Sequence, residues 1–307
     1  MTSLDPSAEG GLRCSFAADE RGDPLAGTAA HARGFLLIES PGAWGHNALR
    51  ESRLDAEVAA AVAARAAAVS YRVLLIKKPG RSLERTPRRW AVVDSTPGVE
   101  KTTWGTYGAD RDLLEISLLH HHAAEATSAI YLVCTHGRHD ACCALRGRAV
   151  AAELARQRPD DTWECSHLGG DRFAPNVLVL PEGLYYGRVP RSRSRELVAA
   201  HDRSEVVIDL LRGRTAFRPA VQAAQHFARL ATDSRSIADL RPLDTRTTEQ
   251  GDVTIDLEHP DGRMTVTVRP SVGDESGYLT CKATHPLHPP MFTLQAIGDQ
   301  PTGEPAL

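Results

Sequence analysis

Two short segments of this chain gather the residue types that bind soft metals. The first is Cys134-Thr-His136-Gly-Arg-His139-Asp140-Ala-Cys142-Cys143, and the second is Cys165-Ser-His167-Leu-Gly-Gly-Asp171-Arg-Phe-Ala-Pro175. Thiolates with an imidazole suit an iron–sulfur centre or zinc, whereas magnesium or calcium would call for mostly oxygen donors. The glycine pair lets backbone amides approach a cluster and hydrogen-bond its sulfides, which tunes its potential. Singly, each of these cysteines reads as a small buried hydrophobe, and His136 and His139 as surface residues of a polar loop. What sets them apart is conjunction: several ligand types in two loops that the elements around them must bring together. The triplet His120-His121-His122 reads as incidental, and Cys14 and Cys281 stand alone in the sequence.

The elements follow from periodicity. Gly34–Glu39 and Tyr71–Ile76 are short apolar runs that read as buried strands, flanking an alanine-rich helix over Ser52–Ala68, so a βαβ unit is expected. Trp90–Val93 reads as a further strand. The pattern then restarts: a strand at Ala129–Val133, a helix at Ala144–Gln157, and a strand at Thr162–Ser166. Strands at Asn176–Leu180 and Leu184–Val189 follow, joined by the turn sequence Pro181-Glu-Gly183, and a helix at Arg193–His201 closes the run. This order, β-α-β then a hairpin then α, is that of a thioredoxin-like domain, and it would put both cysteine-bearing loops at one end of the sheet.

The stretches GFLLIESPGAWGHNALR and AIYLVCTHGRHDACCALR share a strand, a loop with Gly and His, and a helix start. That is the pattern of a duplication whose first copy lacks cysteines in its loop, or of two unrelated βα units. Later, Pro219–Ala231 reads as a helix, and Asp252–Leu257 with Arg263–Val268 as a hairpin around His-Pro-Asp-Gly. Gly277–Lys282 and Met291–Ala296 could add strands. The first twenty-odd residues and the C-terminal Gly-Asp-Gln-Pro-Thr-Gly-Glu-Pro tail are expected to be loose. The expected fold is α/β: an N-terminal half over 1–124 that is a candidate degenerate copy, a thioredoxin-like domain over 125–205, and a small α+β region over 206–307.

Composition narrows the function classes. The 307 residues suffice for two domains, and a net charge of −3 with acids and bases interleaved gives no support for nucleic-acid binding. No run approaches a membrane span, and the N-terminus lacks the basic start and apolar stretch of a secretion signal. A cytoplasmic protein is expected, where thiols stay reduced and the six cysteines act as ligands, redox groups or core residues.

The stretch from Tyr131 to Val189, through CTHGRHDACCALRGR and SHLGGDRFAPNVLVLPEGLYYGRV, resembles the sucrase/ferredoxin-like family of thioredoxin-fold 2Fe-2S proteins. The resemblance extends more loosely to Asp23-Pro-Leu-Ala-Gly-Thr28, to Arg212-Gly-Arg and to Gln222–Gln225. It implies a 2Fe-2S cluster held by two first-loop cysteines with eight residues between them and by two histidines of an HxGGH motif. By position these are Cys134, Cys143 and His167, while the second histidine position carries Asp171, a departure from the pattern. A carboxylate is a harder partner for iron than imidazole. The fourth ligand is therefore open among Asp171, Cys165, and Cys142 or a loop histidine, with a vestigial site as the remaining account.

The expected function is one-electron transfer or redox sensing. With no GxGxxG dinucleotide motif, electrons would pass between separate donor and acceptor proteins. No pair of carboxylates in a glycosidase context supports a sucrase activity. The alternatives are a metal-free thiol redox protein using Cys142 and Cys143, against which the lack of C-x-x-C counts, and a structural zinc module, whose usual tight ligand pairs the eight-residue gap fits poorly.

Overall fold

A computed structural model describes residues 13–80, 86–119, 125–126 and 128–300. The His120–His122 triplet and the last seven residues lie outside them. The described residues open with α1 (Cys14–Glu20), whose buried face is Cys14, Ser15 and Ala18. Loose structure was the expectation for this segment. Its polar residues hide the helix from a hydrophobicity reading, yet they anchor it: Arg146 pairs with Asp19 at 2.7 Å and Arg188 donates to the Ala18 carbonyl.

The sequence then builds β1 (Gly34–Glu39), α2 (Ala56–Ala68), β2 (Tyr71–Lys77), β3 (Arg88–Asp94), β4 (Lys101–Tyr107) and the short β5 (Glu125–Ala126). Helix α2 starts four residues later than its alanine content suggests, because Asp55 caps it by accepting from the Glu57 and Val58 amides. Next come β6 (Ile130–Cys134), α3 (Ala141–Gln157), β7 (Thr162–Cys165), β8 (Val177–Leu180), β9 (Leu184–Tyr186), α4 (Ser194–Asp202), β10 (Leu211–Arg214) and α5 (Pro219–Thr232). The strands β4 and β10 have no clean apolar pattern and escape a sequence reading; β4, KTTWGTY, is legible only from the strand it pairs with.

All ten of these strands form one mixed sheet in the order β10-β9-β8-β6-β7-β2-β1-β3-β4-β5. Strand β1 is parallel to β2 and antiparallel to β3, which pairs antiparallel with β4; β6 is parallel to β7 and antiparallel to β8, which pairs antiparallel with β9. The two β-α-β-β-β runs meet where β2 and β7 pair antiparallel through Ile76–Cys165 and Lys77–Glu164. Side chains alternate across this sheet. Ile130, Leu132, Cys134, Trp163 and Cys165 share one buried face with Phe35, Leu37 and Ile76 of the first run, while Tyr131 and Val133 face Val150 and Leu154 of α3 and Leu197 of α4.

A separate four-stranded antiparallel sheet holds β11 (Arg241–Thr247), β12 (Val253–His259), β13 (Gly262–Val272) and β14 (Pro290–Gln300), packed on α5. The expected strand at Gly277–Lys282 is instead a loop fastened by a single bridge between Gly277 and Leu287. Its backbone is diverted elsewhere, as the Cys281 amide donates to Asp140 at 2.8 Å. No helix among the described residues is long and apolar enough to cross a membrane.

Candidate metal centre

Cys134 is the last residue of β6 and Cys165 the last of parallel β7, in register with each other. Only residues 135–140 separate Cys134 from α3, so the first turn of that helix, with Cys143, lies directly over the strand end. Gly147 permits this approach, since a Cβ there would stand 2.3 Å from the Cys134 carbonyl oxygen. Asp140 caps α3 by accepting from the Cys142 amide. The loop after β7 then carries His167 and, through Gly169 and Gly170, the 3₁₀ turn Asp171–Phe173.

These elements bring the four expected residues together. The ligand atoms of Cys134, Cys143 and His167 lie within 4.8 Å of one another. The Cys143 thiol donates to Asp171 Oδ1 at 3.4 Å, and His167 Nδ1 lies 3.1 Å from the same oxygen. His139, one of the loop histidines, also joins: its ring stacks on His167 with centroids 3.7 Å apart, and His139, His167 and Asp171 form a second overlapping group.

The alternates fall elsewhere. The Cys142 sulfur turns away from Cys143 and toward Cys14 and Cys281. Consecutive helical residues point about 100° apart, so neighbouring thiols on α3 serve different surroundings. Cys165 is fully buried among core side chains and belongs to none of the three metal-ligand groupings of the described residues; that burial pushes its thiol up.

The electrostatics of the group are those of a site that holds a negative sulfur. Cys134 is held well below the ordinary thiol value, first by the hydrogen bond from Cys143 and then, against its own burial, by His167. Cys143 is correspondingly pushed up, by its bond to Cys134 and by burial. Burial alone would lower His167, but Asp171 and Cys134 outweigh it and lift the imidazole to about 9. Burial lowers His136, whose Nε2 lies 2.6 Å from the Gly45 carbonyl.

The loop His167–Gly170 is fixed from beneath through its carbonyls. Arg72 donates to the carbonyls of His167 and Leu168, and Tyr185 Oη also donates to Leu168. Arg212 donates to Gly169 at 2.9 Å and to Asn176 Oδ1 at 2.7 Å, and Asn176 Nδ2 reaches Gly170. With each carbonyl engaged below, the side chains of His167 and Asp171 are held to the site above. Gly170 has φ +76°, and a Cβ on it would lie 2.4 Å from the Arg212 guanidinium, so conformation and space both require glycine there.

Sequence reading did not foresee this support. The signals were present in Asp23–Thr28, Arg212 and Gln222, which fall into one network. Arg212 Nε donates to Thr28 Oγ1, Asp23 pairs with Arg172, and the Gln222 amide bridges both backbone groups of Ala29. The first run contributes too. The His46 carbonyl lies 3.2 Å from His139 Nδ1, and Trp44 meets His136 edge to face. Beside the two stacked imidazoles opens a cavity of about 440 Å³ lined by His46, Val73, Leu75, His136, His139 and His167.

Fold and site together define an α/β protein whose mixed sheet presents a thiol, imidazole and carboxylate group able to hold a metal. The family model for sucrase/ferredoxin-like proteins matches residues 25–213, most of the chain and all of this site, and the chain belongs to that family. Neither the curated proteins nor the solved structures gave a match.

Proposed function

We propose that this site holds a 2Fe-2S cluster and that the protein exchanges single electrons with separate donor and acceptor proteins. The observation that carries the reading is the convergence of Cys134, Cys143, His167 and Asp171, drawn from a strand end, a helix start and a loop, on one buried position. The donor set fits the group: two soft sulfurs beside an imidazole and a carboxylate, with a thiol already favoured as thiolate. Bound there, the cluster supplies reversible one-electron chemistry. The chain's own part is to exclude water and set orientation. The cysteines are about 1% exposed, whereas His167 keeps 24% of its side chain open on the cavity side, the natural face for an electron partner.

The fourth donor is Asp171 in this reading. His139 is the second candidate, favoured by its stacking on His167. Visible and electron paramagnetic resonance spectra of Asp171→Ala and His139→Ala separate them. Loss or marked lability of the visible bands in Asp171→Ala, with His139→Ala close to wild type, supports Asp171. The reverse pattern assigns His139. Unchanged spectra in Cys134→Ser and Cys143→Ser would remove the proposal altogether.

A further inference from the structure

We propose that Cys14, Cys142, Cys281 and Asp140 form a second metal site, and that it takes a single zinc ion. The three cysteines come from α1, the first turn of α3 and the loop before β14, yet their sulfurs form a triangle with edges of 3.6, 3.3 and 3.4 Å. Asp140 Oδ2 lies 3.7 Å from the Cys14 sulfur, and all four ligand atoms fall within 4.8 Å of one another. A tetrahedral ion with sulfur ligands at ~2.3 Å makes sulfur–sulfur edges of about 3.8 Å, so small outward shifts of the thiols suffice to admit it. The centre of the observed triangle is about 2 Å from each sulfur, so an ion at ~2.3 Å sits just off its plane.

The surroundings do not resemble a core that happens to contain thiols. Apart from the three cysteines, the cluster contains only Ala174. Asp140 is oriented on both oxygens: Oδ1 accepts from the Cys142 amide at 2.9 Å and Oδ2 from the Cys281 amide at 2.8 Å. Such hydrogen bonds hold a ligating carboxylate in place. Three thiolates and one carboxylate make a four-coordinate donor set with no open position, which is the character of a structural zinc site. Its ion would tie α1 and the 273–289 loop to the start of α3, one residue from Cys143.

The test uses the full-length protein purified from zinc-supplemented medium. Metal analysis should find about one zinc per chain in wild type and in Cys134→Ser, and at least a tenfold weaker zinc affinity in Cys14→Ser and Cys281→Ser by chelator competition. X-ray absorption at the zinc edge of the wild-type protein should show three sulfurs at ~2.3 Å and one oxygen at ~2.0 Å, a readout that needs no variant to fold. Zinc that disappears with Cys134 rather than with Cys14 would overturn the assignment, as would zinc-free wild type or a disulfide among these three cysteines in non-reducing peptide maps. Because Cys134→Ser addresses only the first site, failure there and failure here are read separately.

Discussion

The β1–β4 and β6–β9 runs follow the same connectivity on the two sides of one sheet, but they treat the turn from first strand to helix differently. Residues 40–55 lead from β1 to α2, a long excursion with Trp44 buried and no cysteine. Residues 135–140 lead from β6 to α3, so short that Cys134 at the strand end and Cys143 in the helix meet. Loop length and the residues placed at its two ends therefore decide together which half can hold a compact donor group. The longer loop of the first half instead lays Trp44, Gly45 and His46 along the histidines of the second. One connectivity thus yields a site in one half and a wall for that site in the other, consistent with function residing in grafted residues rather than in the fold.

The largest break in this comparison is Cys134→Ser, which should abolish the visible absorption, while no substitution in residues 40–55 should do so. Arg212→Ala comes next. It leaves the Gly169 carbonyl and Asn176 without their buried partner and should cost about 3 kcal/mol of stability in denaturant titration, with a cluster that bleaches faster. Gly170→Ala should cost about 1–3 kcal/mol, since it combines a positive φ with a clash on Arg212; a melting temperature equal to wild type would contradict the account of the loop. The smallest effect is expected of His46→Ala. That side chain is exposed and only its carbonyl meets His139, so stability should change by no more than about 0.5 kcal/mol and the spectrum should not move.

How far the sequence discloses all this varies with the kind of signal. Buried strands such as GFLLIE and IYLVC announce themselves, and the cysteine- and histidine-bearing loops follow from the strand ends next to them. Cys134, Cys143 and His167 were singled out by position through the family resemblance, and the structure brings their ligand atoms within 4.8 Å of one another. His139 was visible only as one loop histidine among several; its stacking on His167 depends on the tight 135–140 turn. Cys14 and Cys281 gave no sign at all. They are 267 positions apart, and their meeting depends on a helix of polar composition and on a loop that was expected to be a strand. Arg72 was equally silent in its support of the loop, while Tyr185 and Arg212 fell within stretches that the resemblance covered but with no role attached, because an arginine under a backbone turn has no local pattern.

The central claim is that the Cys134 group holds a 2Fe-2S cluster, and iron and acid-labile sulfide analysis of anaerobically purified wild-type protein tests it most directly. The account predicts about two irons and two sulfides per chain, with a rhombic or axial electron paramagnetic resonance signal on one-electron reduction. A colourless protein without iron or sulfide after anaerobic purification, its Cys134 and Cys143 thiols free to react, would contradict it.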